Sequence, residues 1–206
     1  MANLRAKKKE ETRRHLLDQA LRLFEEQGYV ATTIDDIATA VGTTRVTFYA
    51  HFPNKAEVMQ ALFRDLNERL ERGESTEHRS TSRPLVDAVA VGTRDAIRPW
   101  LMAQVARWPA IRPYIIVVSE AGAVDPEIRE LNDAWFGEVI ADVTEGMTRA
   151  GRFDPETRHF RGYLAMELLH STNLKWIRTP WPLDDSPELE VLVSAWTHLL
   201  GEPAAS

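Results

Sequence analysis

The stretch "VGTTRVTFYAHFPNK", Val41 to Lys55, decides how the chain is read. It gathers Gly42, the hydroxyls of Thr43, Thr44, Thr47 and Tyr49, an arginine and a histidine between two segments patterned as amphipathic helices. A buried helix would not be so polar, and a loop would not be so aromatic. Thr44 is placed to cap a short helix from about Arg45 to His51, which Pro53 closes. Within that helix only Phe48 and Val46 offer themselves to a core. Thr44, Arg45, Thr47, Tyr49 and His51 are therefore expected to face solvent or a ligand.

Upstream, Thr33 followed by Asp36 is a capping-box signature, and Ile34, Ile37, Ala38 and Val41 repeat at helical spacing until Gly42. Before that, Leu16, Leu17, Ala20, Leu21 and Phe24 mark one face of a helix over Glu10 to Gln27, stopped by Gly28. Downstream, Asn54 and Glu57 form a further cap pair, and Val58, Leu62, Phe63, Leu66 and Leu70 carry a fourth helix. Two short helices joined by a tight glycine turn make a helix-turn-helix. Hydroxyls on such a surface donate to phosphates, and arginine is the side chain best matched to a guanine edge. Lys55 adds a separate hint, because a cation in the first turn of a helix opposes the macrodipole unless an anion such as a phosphate sits there.

The bulk composition agrees once it is divided along the chain. The net charge of −6 hides a contrast: residues 1–55 hold nine Lys/Arg against seven Asp/Glu, and the remainder sixteen against twenty-four. The cations gather at Arg5, Lys7, Lys8, Lys9, Arg13 and Arg14, a basic arm on an acidic body. At 44% hydrophobic and 27% charged the chain has an ordinary globular composition. The absence of cysteine excludes disulfides, thiolate metal sites and thiol redox sensing. No signal-type segment or long apolar run occurs, so no membrane association is expected and the cytoplasm is the expected compartment.

The run from Gly28 to Met59, "GYVATTIDDIATAVGTTRVTFYAHFPNKAEVM", resembles the amino-terminal DNA-binding domain of the TetR family of transcriptional regulators. The resemblance implies an all-α protein: a three-helix head over 1–54, a connecting helix over 55–72 and a larger effector-binding and dimerising body over 84–206. It implies phosphate contacts from Thr33, Tyr49, His51 and Lys55, and base-edge contacts from Thr44, Arg45 and Thr47. The partners it implies are a double-stranded DNA operator and a small-molecule effector. The chain departs from the family at Thr43, Val41 and Val46, where valine, alanine and a small residue are common. A β-branched Val46 at a point of close approach either meets a thymine methyl or crowds the groove.

Beyond the head, "GESTEHRSTSR" (73–83) reads as a linker, followed by helical segments near 85–97, 99–108, 110–122, 126–150, 155–179 and 187–200. All six tryptophans lie after residue 99. The resemblance implies a pocket among these helices, for which Trp100, Trp108, Tyr114, Trp135, Phe136, Tyr163, Met166, His170 and Asn173 are the candidates. His170 and Asn173, one turn apart, are the polar groups that would orient an effector. For each tryptophan the competing reading is ordinary core.

Two Glu-x-x-His pairs, Glu156 with His159 and Glu167 with His170, match the element of di-iron bundle enzymes. Both fall on one expected helix, about 16 Å apart along its axis, too far to share a metal pair. No metal site, cofactor or enzymatic activity is expected. The closing stripe Leu189, Leu192, Val193, Trp196, Leu199 and Leu200 either packs on its own core or pairs with a second copy. The resemblance implies the latter, a homodimer through the last two helices.

Overall fold

Capping chemistry sets the helices that present the quoted stretch. The computed structural model describes residues 2–72, 82–184 and 186–201. Among them stand ten helices and no strand: α1 (Ala2–Gln27), α2 (Ile34–Ala40), α3 (Arg45–Tyr49), α4 (Lys55–Arg69), α5 (Arg83–Val91), α6 (Arg94–Val105), α7 (Trp108–Val124), α8 (Pro126–Arg149), α9 (Pro155–Arg178) and α10 (Pro187–Leu200). Thr33 and Asp36 close the expected capping box on α2, and the Thr44 side chain accepts from Thr47 N on α3. Asn54 caps α4 by accepting from Glu57 N at 2.8 Å. Gly42 holds φ at 72°, the left-handed value that turns the chain from α2 into α3.

Two compact units result, one made of the described residues of 1–67 with 111–132, the other of those in 68–110 and 133–201. This differs from the expected head, connector and body. Residues 111–132 join the head because their polar groups find partners there: Arg112 pairs with Glu25 at 2.8 Å, Tyr114 with Asp65, and Asp125 with Tyr29. The core of this unit is Leu16, Ala20 and Phe24 of α1, Ile37 of α2, Phe48 of α3 and Val58 and Leu62 of α4, all buried. Each such aliphatic or aromatic side chain contributes roughly 1.5–3 kcal/mol on burial.

In the second unit α10 packs against α6 and α9, and α5 against α6. Leu189, Leu192, Val193, Trp196 and Leu200 are buried in this core, and Trp100 stacks on Trp196 with ring centroids 5.3 Å apart. Of the six residues of the α10 stripe, five are buried within their own chain and Leu199 is half-buried. The apolar side chains that α9 and α10 leave exposed are different ones: Phe160, Tyr163, Leu168 and Val191.

Three further expectations need correction. The first helix begins at Ala2, so the basic arm is helical from Arg5 to Arg14. The break expected at Pro99 falls instead at Gly92 and Thr93, where Gly92 takes φ 72° as a left-handed cap and Pro99 lies inside α6. Val46 is not a core residue, being 80% exposed. Most of the expected linker lies outside the described residues; Arg83, its last residue, opens α5. No helix among the described residues is long and apolar enough to cross a membrane.

Candidate nucleic-acid interface

Burying Phe48 against the head leaves the opposite side of α3 free. That side shows Thr44, Arg45, Val46 and Tyr49 to solvent, with Thr47 half-buried. The hydroxyls of Thr44 and Thr47 lie 3.3 Å apart, and Thr44 also accepts from Thr47 N. Arg45 is braced from α2, with Nη1 donating to Asp35 Oδ2 at 3.2 Å. The result is a fixed row of donors and one apolar side chain at the amino-terminal end of a short helix, the part of a recognition helix that meets base edges.

His51 follows α3 and is half-buried, and its Nδ1 has no hydrogen-bond partner among the described residues. Desolvation first, then the charges of Lys9 and Arg13, hold its imidazole below the usual histidine range, while Glu10 opposes them. The Arg13 guanidinium sits 4.8 Å over the Phe52 ring. The helical arm of α1 thus brings Lys9 and Arg13 to the end of α3, forming a cationic corner suited to a phosphate. Neither residue was singled out from the sequence, where only the arm as a whole was noticed. The missed signal was their i, i+4 spacing on one face with Arg5.

Two residues expected at phosphates are engaged otherwise. Lys55 Nζ donates to the carbonyls of Tyr29 and Thr32, both at 2.9 Å, and lies 4.5 Å from the centre of the Tyr29 ring. Burial lowers its ammonium from the ordinary lysine value, with Asp125 opposing. Tyr29 in turn donates to Asp125 at 3.2 Å, and burial, reinforced by that carboxylate, pushes its phenol up to about 12. Lys55 is therefore an internal brace for the turn between α1 and α2. Thr33 points its hydroxyl at Asp36 Oδ2, 2.6 Å away, while its backbone N–H donates to the same oxygen. These bonds, the side-chain one first, hold the Asp36 carboxyl below its usual range.

The residues expected to line a pocket make several contacts within their units. Trp108 tilts against Trp176 at 5.9 Å, and both are buried. Trp135 meets Phe136 edge-on at 5.1 Å, and Phe136 meets His170 at 5.0 Å. Asn173 and Met166 are buried on α9, and Asn173 Nδ2 has no partner among the described residues. Burial lowers the His170 imidazole from its ordinary value, against the pull of Glu167. Trp100 belongs to the core through Trp196, and Tyr163 lies exposed, stacked on Phe160. Tyr114 belongs to the other unit, bonded to Asp65. Glu156, His159, Glu167 and His170 share the single helix α9, as their spacing required, and no metal-binding cluster of acids and histidines occurs among the described residues.

Comparison with known proteins adds a family match for the head and a fold match for most of the chain. Residues 16–62 match the model of a family described as bacterial regulatory proteins, tetR family. The chain is 41% identical over 63 residues to the HTH-type transcriptional regulator AcrR of Shigella flexneri, covering 31% of this chain and 29% of that protein. Over 59 residues it is 46% identical to the HTH-type transcriptional regulator TtgR of Pseudomonas putida, covering 29% and 28%. The matches thus span less than a third of these curated relatives. The fold extends further. The crystal structure of NalD, the secondary repressor of the MexAB-OprM multidrug efflux pump in Pseudomonas aeruginosa, is similar with a TM-score of 0.68 over 93% of this chain and 97% of that one, at 20% identity. A SmeT–triclosan complex is similar with a TM-score of 0.67 over 90% and 91%, at 19% identity.

Proposed function

We propose, from the premise that the amino-terminal head belongs to the tetR family of bacterial regulatory proteins, that this chain is a cytoplasmic, ligand-responsive transcriptional repressor. It holds a palindromic DNA operator and releases it on binding a small hydrophobic effector. The observation that carries the reading is the outward face of α3, with Arg45, Val46 and Tyr49 exposed beside the cationic corner of Lys9, Arg13 and His51. Base edges are read by Thr44, Arg45, Val46 and Thr47; phosphates are held by Tyr49, His51 and the α1 cations. The effector site is drawn from the aromatic and polar interior of the second unit, with Asn173 and His170 as its orienting groups.

An effector releases the operator only to the extent that it binds the low-affinity conformer more tightly than the DNA-binding one. Selection of bound fragments from genomic DNA, followed by gel-shift titration, tests the reading. Wild-type protein recovers a discrete site whose affinity falls steeply with salt, and Tyr49→Ala loses it. Recovery of no preferred sequence overturns the proposal. Titration with hydrophobic compounds, triclosan first, tests the effector half: tryptophan fluorescence and operator release change together. An operator complex insensitive to every compound leaves a DNA-binding protein without a switch.

A further inference from the structure

Asp35 stands where a DNA-binding surface should not carry an anion. It lies in the first turn of α2, exposed, with its carboxylate 3.2 Å from Arg45 on α3. A carboxylate inside the footprint of a duplex repels the phosphates at a range of several ångströms even at physiological salt. Stability does not explain the pair, because the two side chains are 58% and 59% exposed, and an ion pair so solvated contributes little. Capping is the role of Asp36, which closes the box with Thr33, and Asp35 meets the positive end of the α2 dipole, which accounts for its place in the first turn but not for its contact with Arg45.

What the pair does is fix a direction. A free arginine at the start of a recognition helix has a long flexible stem and answers to any phosphate within reach. Arg45 is instead drawn to one side by Asp35, which leaves the remaining donors of its planar fork for a further partner. A guanine presents two acceptors, N7 and O6, at the spacing of that fork. Val46, the next residue, is 80% exposed and offers only methyl groups to the groove.

We infer that Asp35 is a positioning residue for sequence discrimination: paired with Arg45 across the α2–α3 turn, it aims the guanidinium at a guanine edge and keeps it off the phosphates. The inference rests on the operator-binding reading above. The carboxylate weakens binding to DNA of any sequence while sharpening the choice among sequences. Loss of a merely structural residue lowers both together.

The test uses the full chain, a duplex that the wild-type protein selects from a random pool, and a scrambled duplex of the same composition. With Asp35→Asn, affinity for the scrambled duplex rises about threefold or more, its salt dependence steepens by about one phosphate contact, and the ratio of selected to scrambled affinity falls about tenfold. Asp35→Glu, which keeps the charge, recovers much of the ratio. In an Arg45→Ala background Asp35→Asn leaves the ratio unchanged. A ratio within twofold of wild type, an equal loss on both duplexes, or the same fall without Arg45 overturns the inference while the operator-binding reading stands. A wild-type protein that selects no duplex overturns both.

Discussion

In the proposed operator complex, His51 would meet DNA with its proton balance already biased. Desolvation, Lys9 and Arg13 keep the imidazole neutral at neutral pH in the free protein, with Glu10 opposing more weakly. A phosphate docked at this corner reverses the local field and raises the affinity of the imidazole for a proton. The complex then binds more protons than the free protein, so operator affinity rises as pH falls between the pKa of the complex and that of the free chain, by up to about tenfold per pH unit. Stability runs the other way. With the folded value below the unfolded one, the contribution of His51 is present above about pH 6.5 and is lost as pH falls through the folded value. Fluorescence anisotropy between pH 8 and 6 checks the first sign; His51→Asn flattens the profile, and an affinity that falls with acidification contradicts it.

Lys55 makes a second prediction at the same scale. Its ammonium is the partner of two carbonyls, Tyr29 and Thr32. Lys55→Ala is expected to destabilise the protein by about 2 kcal/mol, through lost charge-assisted bonds. If those two bonds occupy the ammonium in the complex as well, the slope of operator affinity against salt stays unchanged. Urea melts and salt titrations of the variant check both parts, and a slope lower by about one unit returns Lys55 to the interface.

Among the elements, the most consequential joint lies in the second unit, where α5 and α10 both end on one arginine. Arg152 donates to the carbonyls of Val89, Ala90 and Val91 at the end of α5 and to that of Leu200 at the end of α10. The last carbonyls of a helix lack internal partners and carry the negative end of the dipole, so one fork serves two ends. Arg152→Ala should lower stability by about 2–4 kcal/mol, and Arg152→Lys should restore less than half, since a point charge cannot span the set. Gly92→Ala attacks the same joint: φ is 72°, and the added methyl meets the Arg152 guanidinium. Denaturant midpoints of the three variants check the ordering, and a Lys variant as stable as wild type removes the fork argument.

That joint also shows what the sequence hides. Capping pairs such as Thr33 with Asp36 and Asn54 with Glu57 were legible, because donor and acceptor lie three residues apart and need no tertiary context. So was the outward face of α3, since little but Phe48 in it seeks a core. The break at Gly92 was not, because Pro99 is the stronger local punctuation; burial of Ile97, Leu101 and Val105 keeps α6 intact around it. The helical arm escaped because periodicity needs apolar residues, whereas Lys, Glu, Ala and Arg form helix without them. Lys55 and Asp35 depend on partners 26 and ten residues away, which only the fold brings near.

At the scale of the whole molecule, the proposed function calls for two heads on one palindromic operator. Most of the α10 stripe is buried in its own chain, so a two-fold interface through the last helices would draw on half-buried Leu199 and on the side chains they leave exposed. Phe160, Tyr163 and Leu168 of α9 and Val191 of α10 are those residues, with Phe160 stacked on Tyr163 at 5.8 Å. Large apolar side chains in such numbers on one helix pair are costly to leave in water and are typical of a self-complementary patch. A charge placed there separates association from folding. Phe160→Glu combined with Leu168→Glu should weaken self-association about 100-fold, since each buried carboxylate lacks a partner, and the melting temperature should lose its dependence on protein concentration while the helical content of the folded chain stays unchanged. One head then reads one half-site, and the preference for two half-sites about 34 Å apart disappears. Sedimentation equilibrium and gel shifts on single and paired half-sites check this together. A double variant that stays dimeric moves the interface elsewhere, and one that turns monomeric yet keeps full affinity for the paired site removes the two-fold from recognition.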